Sequence, residues 1–240
     1  MATYAEHPLH PALTSYVAAA WSVRAGEAPE THRVLPDGCV DVVVRPGGEP
    51  VVVGPMRGPA LEAMAPGEVV RGLRFHPGAA PALLGVAADE LLDASVALAE
   101  LWGAGDGDLQ AAALRRVGAL EADRVVAAAV GQLARRPGTE IGALSAQLGV
   151  SERHLRRRFL EAVGYGPKRL GRVLRLQRLL AEARRHPAAA AVELALAAGY
   201  SDQPHMARDV RELAGTTPGA LLAERGRSVQ DAPAGDGQTA

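Results

Sequence analysis

Four arginines fall within six positions, Arg153, Arg156, Arg157 and Arg158. Guanidiniums set that close repel one another unless an anion lies near, so this stretch is the first candidate for binding chemistry. The other candidates are polar groups at or near the ends of strands expected in the first half: His32, Asp37, Cys39, Asp41, Arg74 and His76. A cysteine nucleophile needs a histidine base and a depressed pKa, and a metal site needs several ligands converging in space. No spacing among these residues matches either arrangement. Cys39 reads as a small core residue and the histidines as surface or capping groups, while Trp21, Arg74 and His76 are kept as candidate lining of a ligand pocket.

The arginines belong to the stretch GALSAQLGVSERHLRRRF, residues 142–159. Leu144 and Leu148 share one helical face, Gly149-Val150-Ser151 breaks the helix, and Leu155 and Phe159 resume the spacing. Glycine ends a helix most easily in the left-handed backbone region, and Ser151 can cap the next by accepting from an unpaired amide. The pattern predicts a helix-turn-helix whose second helix shows Arg153, Arg156 and Arg157 outward.

With 240 residues and 48% hydrophobic content the chain affords two cores. Charge divides it. Residues 1–120 hold 8 Lys+Arg against 14 Asp+Glu, a net −6, and residues 121–240 hold 18 against 13, a net +5. The cationic half favours a polyanionic partner. Cys39 is the only cysteine and can form no internal disulfide, which fits a reducing cytoplasm. The opening MATYAEHPLH does not read as a signal peptide, and the longest apolar runs fall short of the ~20 residues that span a bilayer. A soluble cytoplasmic protein without membrane contact is expected.

The first half reads as short strands at Tyr16–Val23, Cys39–Val44, Val51–Val53 and Val69–Phe75, separated by Gly/Pro turns. They predict a small β-barrel or sandwich. Short helices follow at 77–84, 88–92 and 98–102, then a loop at 103–107 and a helix over 109–120, making this half α+β. The second half is all-α. It predicts an amphipathic helix from Ala122 to Arg135, the helix-turn-helix, and a long helix from Pro167 to about Arg185. That helix should bury Leu170, Val173, Leu174, Leu179 and Leu180, with Leu176 in part, and expose Lys168, Arg172, Arg175 and Arg178 to solvent.

The pattern then recurs. Arg157, Gly164 and Pro167 return 51 positions later as Arg208, Gly215 and Pro218, and the turn glycines Gly149 and Gly199 are 50 apart. This is an internal repeat of two helix-turn-helix units joined by one helix. A 19-residue connector is about 28 Å long, close to the ~34 Å between successive major-groove segments on one face of DNA.

Residues 121–225 resemble the AraC/XylS family of bacterial transcription regulators, through LSAQLGVSERHLRRRFLEAVGYGPKRL, the connector RVLRLQRLLAEA, and ELALAAGYSDQPHMARDV with AGTTP. The first half, with LPDGCVDVVV, VGPM and GLRFHPGAAPALLGV, is similar to a domain that often precedes such regulators. The resemblance implies that Arg153, Arg156 and Arg157 in the first unit, and Gln203, Pro204, His205 and Arg208 in the second, face the groove. It also implies that Leu155, Phe159, Met206, Val210 and Leu213 are core. Arginine can pair with guanine O6 and N7, and glutamine with adenine. Pro204 donates nothing, Val210 stands where the family usually has an aromatic, and Tyr200 where it usually has phenylalanine.

The resulting expectation is a non-enzymatic DNA-binding transcription regulator without cofactors. Residues 1–118 would form a sensory or dimerising domain, 121–225 the DNA-binding domain and 226–240 a disordered tail. Double-stranded DNA is the expected partner, with RNA polymerase, a small-molecule effector and a second copy of the chain as further candidates. The competing reading is a DNA-targeted enzyme with its chemistry near Cys39 and His76, and a third makes the first half a dimerisation module only.

Overall fold

The computed structural model describes residues 2–103 and 108–225. The expected tail at 226–240 and most of the expected 103–107 loop lie outside the described residues. A sheet-rich N-terminal domain is followed by a helical C-terminal domain.

Six strands form one antiparallel sheet in the order β1 (Thr3–His7), β2 (Val17–Arg24), β7 (Val69–Phe75), β4 (Asp41–Val44), β5 (Val51–Val53) and β8 (Ser95–Ala97). β3 (Glu30–Val34) pairs with β6 (Ala60–Met64) in a separate two-stranded ribbon. The valine-rich central strands bury Val17, Val42, Val52, Leu73 and Phe75 together with Leu13 and Leu83 from the helical segments. β2 crosses β7 where Gly72 leaves room for the Trp21 ring; a Cβ there would lie 2.5 Å from the indole.

Short helices α1 (Ala80–Leu84), α2 (Leu98–Trp102) and α3 (Leu109–Leu114) close one side. Two helical expectations are corrected. Residues 88–93 form turns rather than a helix, because Asp93 adopts φ +55° and its backbone N–H donates to Pro55 O at 2.9 Å. The helix beginning at Leu109 stops at Leu114, where Arg115 caps it ahead of a turn through Gly118 at φ +84°.

The C-terminal domain packs α4 (Arg124–Arg135), α5 (Ile141–Gln147), α6 (Glu152–Val163), α7 (Pro167–Arg185), α8 (Ala191–Ala197), α9 (Gln203–Ala214) and α10 (Pro218–Arg225). α7 is the axle, burying Leu170, Val173, Leu176, Leu179 and Leu180. Leu176 is fully buried while Leu174 is only partly so, the reverse of the expected weighting. Gly171 lets α7 lie against the end of α4; a Cβ would sit 2.8 Å from Pro137 O.

The two domains are seated on one another. Leu35, from the loop after β3, belongs to the hydrophobic cluster of the helices rather than to that of the sheet. Beside it, Gln177 donates to Pro36 O at 2.7 Å, and Gly38, at φ +88°, lies so close that a Cβ would be 2.7 Å from Leu170 Cδ1. The Ala88 N–H donates to Glu161 O at 2.8 Å, and Arg33 reaches Ala214 O at 3.1 Å and Glu224 at 3.2 Å.

Candidate nucleic-acid interface

In the first unit α5 ends at Gln147 with Leu148 as its cap, Gly149 takes φ +68°, and Ser151 Oγ accepts from the His154 N–H at 3.2 Å to open α6. Leu144, Leu155 and Phe159 are wholly buried. That face fixes the rotation of α6, and Arg153, Arg156 and Arg157 are consequently exposed on its other side. The four-arginine cluster is eased from within. Arg158 turns back to Asp123 with hydrogen bonds of 2.7 and 2.8 Å, and the same carboxylate caps α4 by accepting from the Val125 and Val126 N–H groups. Burial pushes the Asp123 carboxyl up, but the Arg158 and backbone hydrogen bonds outweigh it and hold the group below the usual carboxylate range. Arg157 rests 3.5 Å from Glu161 with both side chains more than half exposed. Arg153 and Arg156 form no ion pair among the described residues, and with Lys168 they line a cleft of about 750 Å³ between α6 and the start of α7.

The second unit repeats the design. α8 ends at Ala197 with Ala198 as its cap, Gly199 takes φ +88°, and Asp202 accepts from the His205 N–H at 2.7 Å to open α9. Met206, Val210 and Leu213 are buried, while Gln203, Pro204 and Arg208 are exposed. His205 is placed differently. Its Nδ1 lies 3.1 Å from Ser201 Oγ, its ring meets Tyr200 edge-on at 5.2 Å, and Nε2 is 4.0 Å from Asp209. These contacts brace the turn.

Asp209 is a residue that the sequence reading missed. It is 3% exposed and receives Arg172 Nε at 2.8 Å and Arg175 at 3.4 Å, while Arg172 also bonds Glu212 at 3.0 Å. The expectation that Arg172 and Arg175 are solvated is therefore corrected: both tie the connector α7 to α9. The available signal was a charged residue on the same helical face as Met206, Val210 and Leu213.

Residues 144–224 match the family model of a helix-turn-helix domain, and residues 5–97 match a domain of unknown function, DUF6597. The C-terminal domain is an AraC-type helix-turn-helix domain. Two solved structures of ToxT from Vibrio cholerae are similar to the chain. One is 7% identical with a TM-score of 0.47, covering 93% of this chain and 97% of that one. The other, of an apo variant, is 8% identical with a TM-score of 0.42, covering 93% and 96%. No curated protein matches. No helix among the described residues is long and apolar enough to cross a membrane.

A cavity of about 660 Å³ lies in the N-terminal domain, between the six-stranded sheet and the β3–β6 ribbon. Trp21 and Arg74 face it; His76 does not, its Nε2 lying 3.2 Å from Thr14 O. Asp41 anchors the polar end, accepting from Trp21 Nε1 at 3.0 Å and Arg74 Nε at 3.2 Å, and Asp37 lies 3.4 Å from Arg74. Burial drives the Asp41 carboxyl above its usual range against the pull of Arg74. Cys39 also borders the cavity; burial, reinforced by Asp37, raises its thiol well above its ordinary pKa, the opposite direction to the depression that activates a cysteine nucleophile. Among the described residues no group of three or more His, Cys, Asp or Glu is arranged to hold a metal.

Proposed function

We propose that the protein is a sequence-specific transcription regulator that lays α6 and α9 into successive major-groove segments and is controlled through its N-terminal domain by a small effector or a partner. The domain division that goes with this is 1–118 for the sensory part and 121–225 for the DNA-binding part. One observation carries the reading: both second helices present exposed polar N-terminal halves, Arg153 and Arg156 on one and Gln203 and Arg208 on the other. A connector of 19 residues separates them. Arg153, Arg156, Arg157 and Arg208 take the base-edge or phosphate roles, Gln203 an adenine, and Pro204 shape alone. His205, held by Ser201 and Tyr200, supports the turn.

The test is selection from a random duplex pool with the full chain, followed by a salt titration on the enriched sequence. A compact site with two elements about one helical turn apart, bound specifically at moderate salt, is the expected result. Enrichment of no sequence, with steeply salt-dependent binding alone, overturns it.

A further inference from the structure

The loop between β5 and β6, Gly54–Pro59, is at once a wall of the cavity and a part of the N-terminal domain that touches both helix-turn-helix units. Gly54, Met56, Gly58 and Pro59 line the cavity. On the loop's other side a Cβ on Gly164, the cap of α6, would lie 2.6 Å from Pro55 Cγ, and one on Gly215, the cap of α9, 3.2 Å from Pro59 Cγ. Between those contacts Arg169 of the connector donates to Arg57 O at 2.6 Å. Gly164 and Gly215 are the repeat-related positions, so one short loop holds the same point of each unit. The loop is itself fastened from the cavity side: Asp93 borders the cavity and accepts from the Arg57 backbone N–H at 2.7 Å.

The cavity has a definite character. Four carboxylates face it, Asp37, Asp41, Glu62 and Asp93, against three guanidiniums, Arg45 and Arg74 in its lining and Arg57, which pairs with Asp93 from the loop. The Trp21 ring and the valines of β4 and β5 form an apolar wall. His32, 8% exposed, also lines it, its Nε2 lying 3.6 Å from Glu30 Oε2. A carboxylate excess beside an indole in a mainly apolar chamber favours a positive charge on an apolar body and disfavours an anion.

Resting on the regulator reading above, we infer that the cavity takes an apolar organic cation and that the Gly54–Pro59 loop conveys its presence to both units at once, changing their relative placement. The ligand shifts that equilibrium only through different affinity for the two placements. Its signature is a change in affinity for DNA with two elements and none for DNA with one.

The probes are tetraphenylphosphonium and tetraphenylborate, ions of the same shape and opposite sign. Trp102→Phe leaves Trp21 as the sole tryptophan of the two in the chain, so its fluorescence reports the cavity. Saturable quenching by the phosphonium, at least about tenfold tighter than by the borate, is expected, together with about fivefold or more change in affinity for the selected two-element DNA. In Pro55→Ala/Arg169→Gln the phosphonium affinity should persist while the DNA response is lost; Arg169→Gln alone serves if the pair misfolds. Equal or tighter borate binding, or no saturable binding of either ion, overturns the ligand class. An undiminished DNA response in the loop variants, no response in the parent chain, or an equal response on one-element DNA overturns the coupling. Loss of two-element selection with no probe present is instead a failure of the regulator reading.

Discussion

Arg157 and Arg158 are neighbours with opposite fates. Arg157 is 64% exposed and only loosely held by Glu161, whereas Arg158 is clasped by Asp123. Arg157→Ala is expected to weaken binding of the selected site by about 1–3 kcal/mol if it reads a base, and all duplexes alike if it touches phosphate; a gel-shift comparison of selected and random DNA distinguishes the two. Arg158→Ala should instead cost about 1–3 kcal/mol of folding stability through lost charged hydrogen bonds, measured by urea denaturation. The Asp123 and Glu212 carboxyls sit below their ordinary pKa, Glu212 through its Arg172 hydrogen bonds and Asp123 through those of Arg158 and the backbone, which overcome burial. A folded pKa depressed below the unfolded value gives stability that is complete above the unfolded value of about 4 and is lost as pH falls through the folded one. Urea midpoints should therefore drop below about pH 4, and by less in Arg158→Ala.

At the scale of elements, α9 is held to α7 by a buried charge as well as by Met206, Val210 and Leu213. Asp209→Ala removes the shared partner of Arg172 and Arg175 and should cost about 3–5 kcal/mol. Because α6 rests on Leu155 and Phe159 instead, the variant should lose the second DNA element before the first, as footprinting would show. The helices were legible where apolar spacing and caps agreed: Pro167–Arg185 and the Ser151 cap stand where the residues place them. β4 and β5 were equally plain, being runs of valine. β1, β3 and β6 were not. TYAEH and ALEAM are largely exposed, the one buried residue of ETHRV is the polar His32, and all three lack apolar alternation, so partners distant in sequence make them strands. The cavity was half legible for the same reason. Trp21 and Arg74 sit on β2 and β7, two strands that the valine and aromatic pattern predicts, but β3 and β6, which form the opposite wall, leave no local signal.

Across the whole molecule, charge is divided as the composition shows, yet many arginines of the cationic half are spent internally. Arg158, Arg172 and Arg175 are paired with Asp123, Glu212 and Asp209, leaving Arg153, Arg156, Arg157, Arg208 and Arg211 as the exposed arginines of the two second helices. The salt dependence of binding should accordingly reflect a handful of phosphates rather than the full basic count. A log–log slope no steeper than about −4 to −6 is expected, from affinities measured over a tenfold range of salt. The domains should also melt together. Leu35→Ala opens a hole in the helical cluster from a residue of the other domain, and is expected to lower stability by about 2–5 kcal/mol while calorimetry of the parent chain shows one transition.

The seat of Leu35 also bears on the order of events as the chain is made. Domains form as units in the order of synthesis, N-terminal first. The strands that carry Leu35 are complete before any of α4–α10 has been synthesised, so this side chain waits in water on a finished sheet. The later helices then condense around an anchor that is already fixed in space. The loop that holds Leu35, with Pro36 and Gly38 against Gln177 and Leu170, becomes the template on which the axle helix is laid.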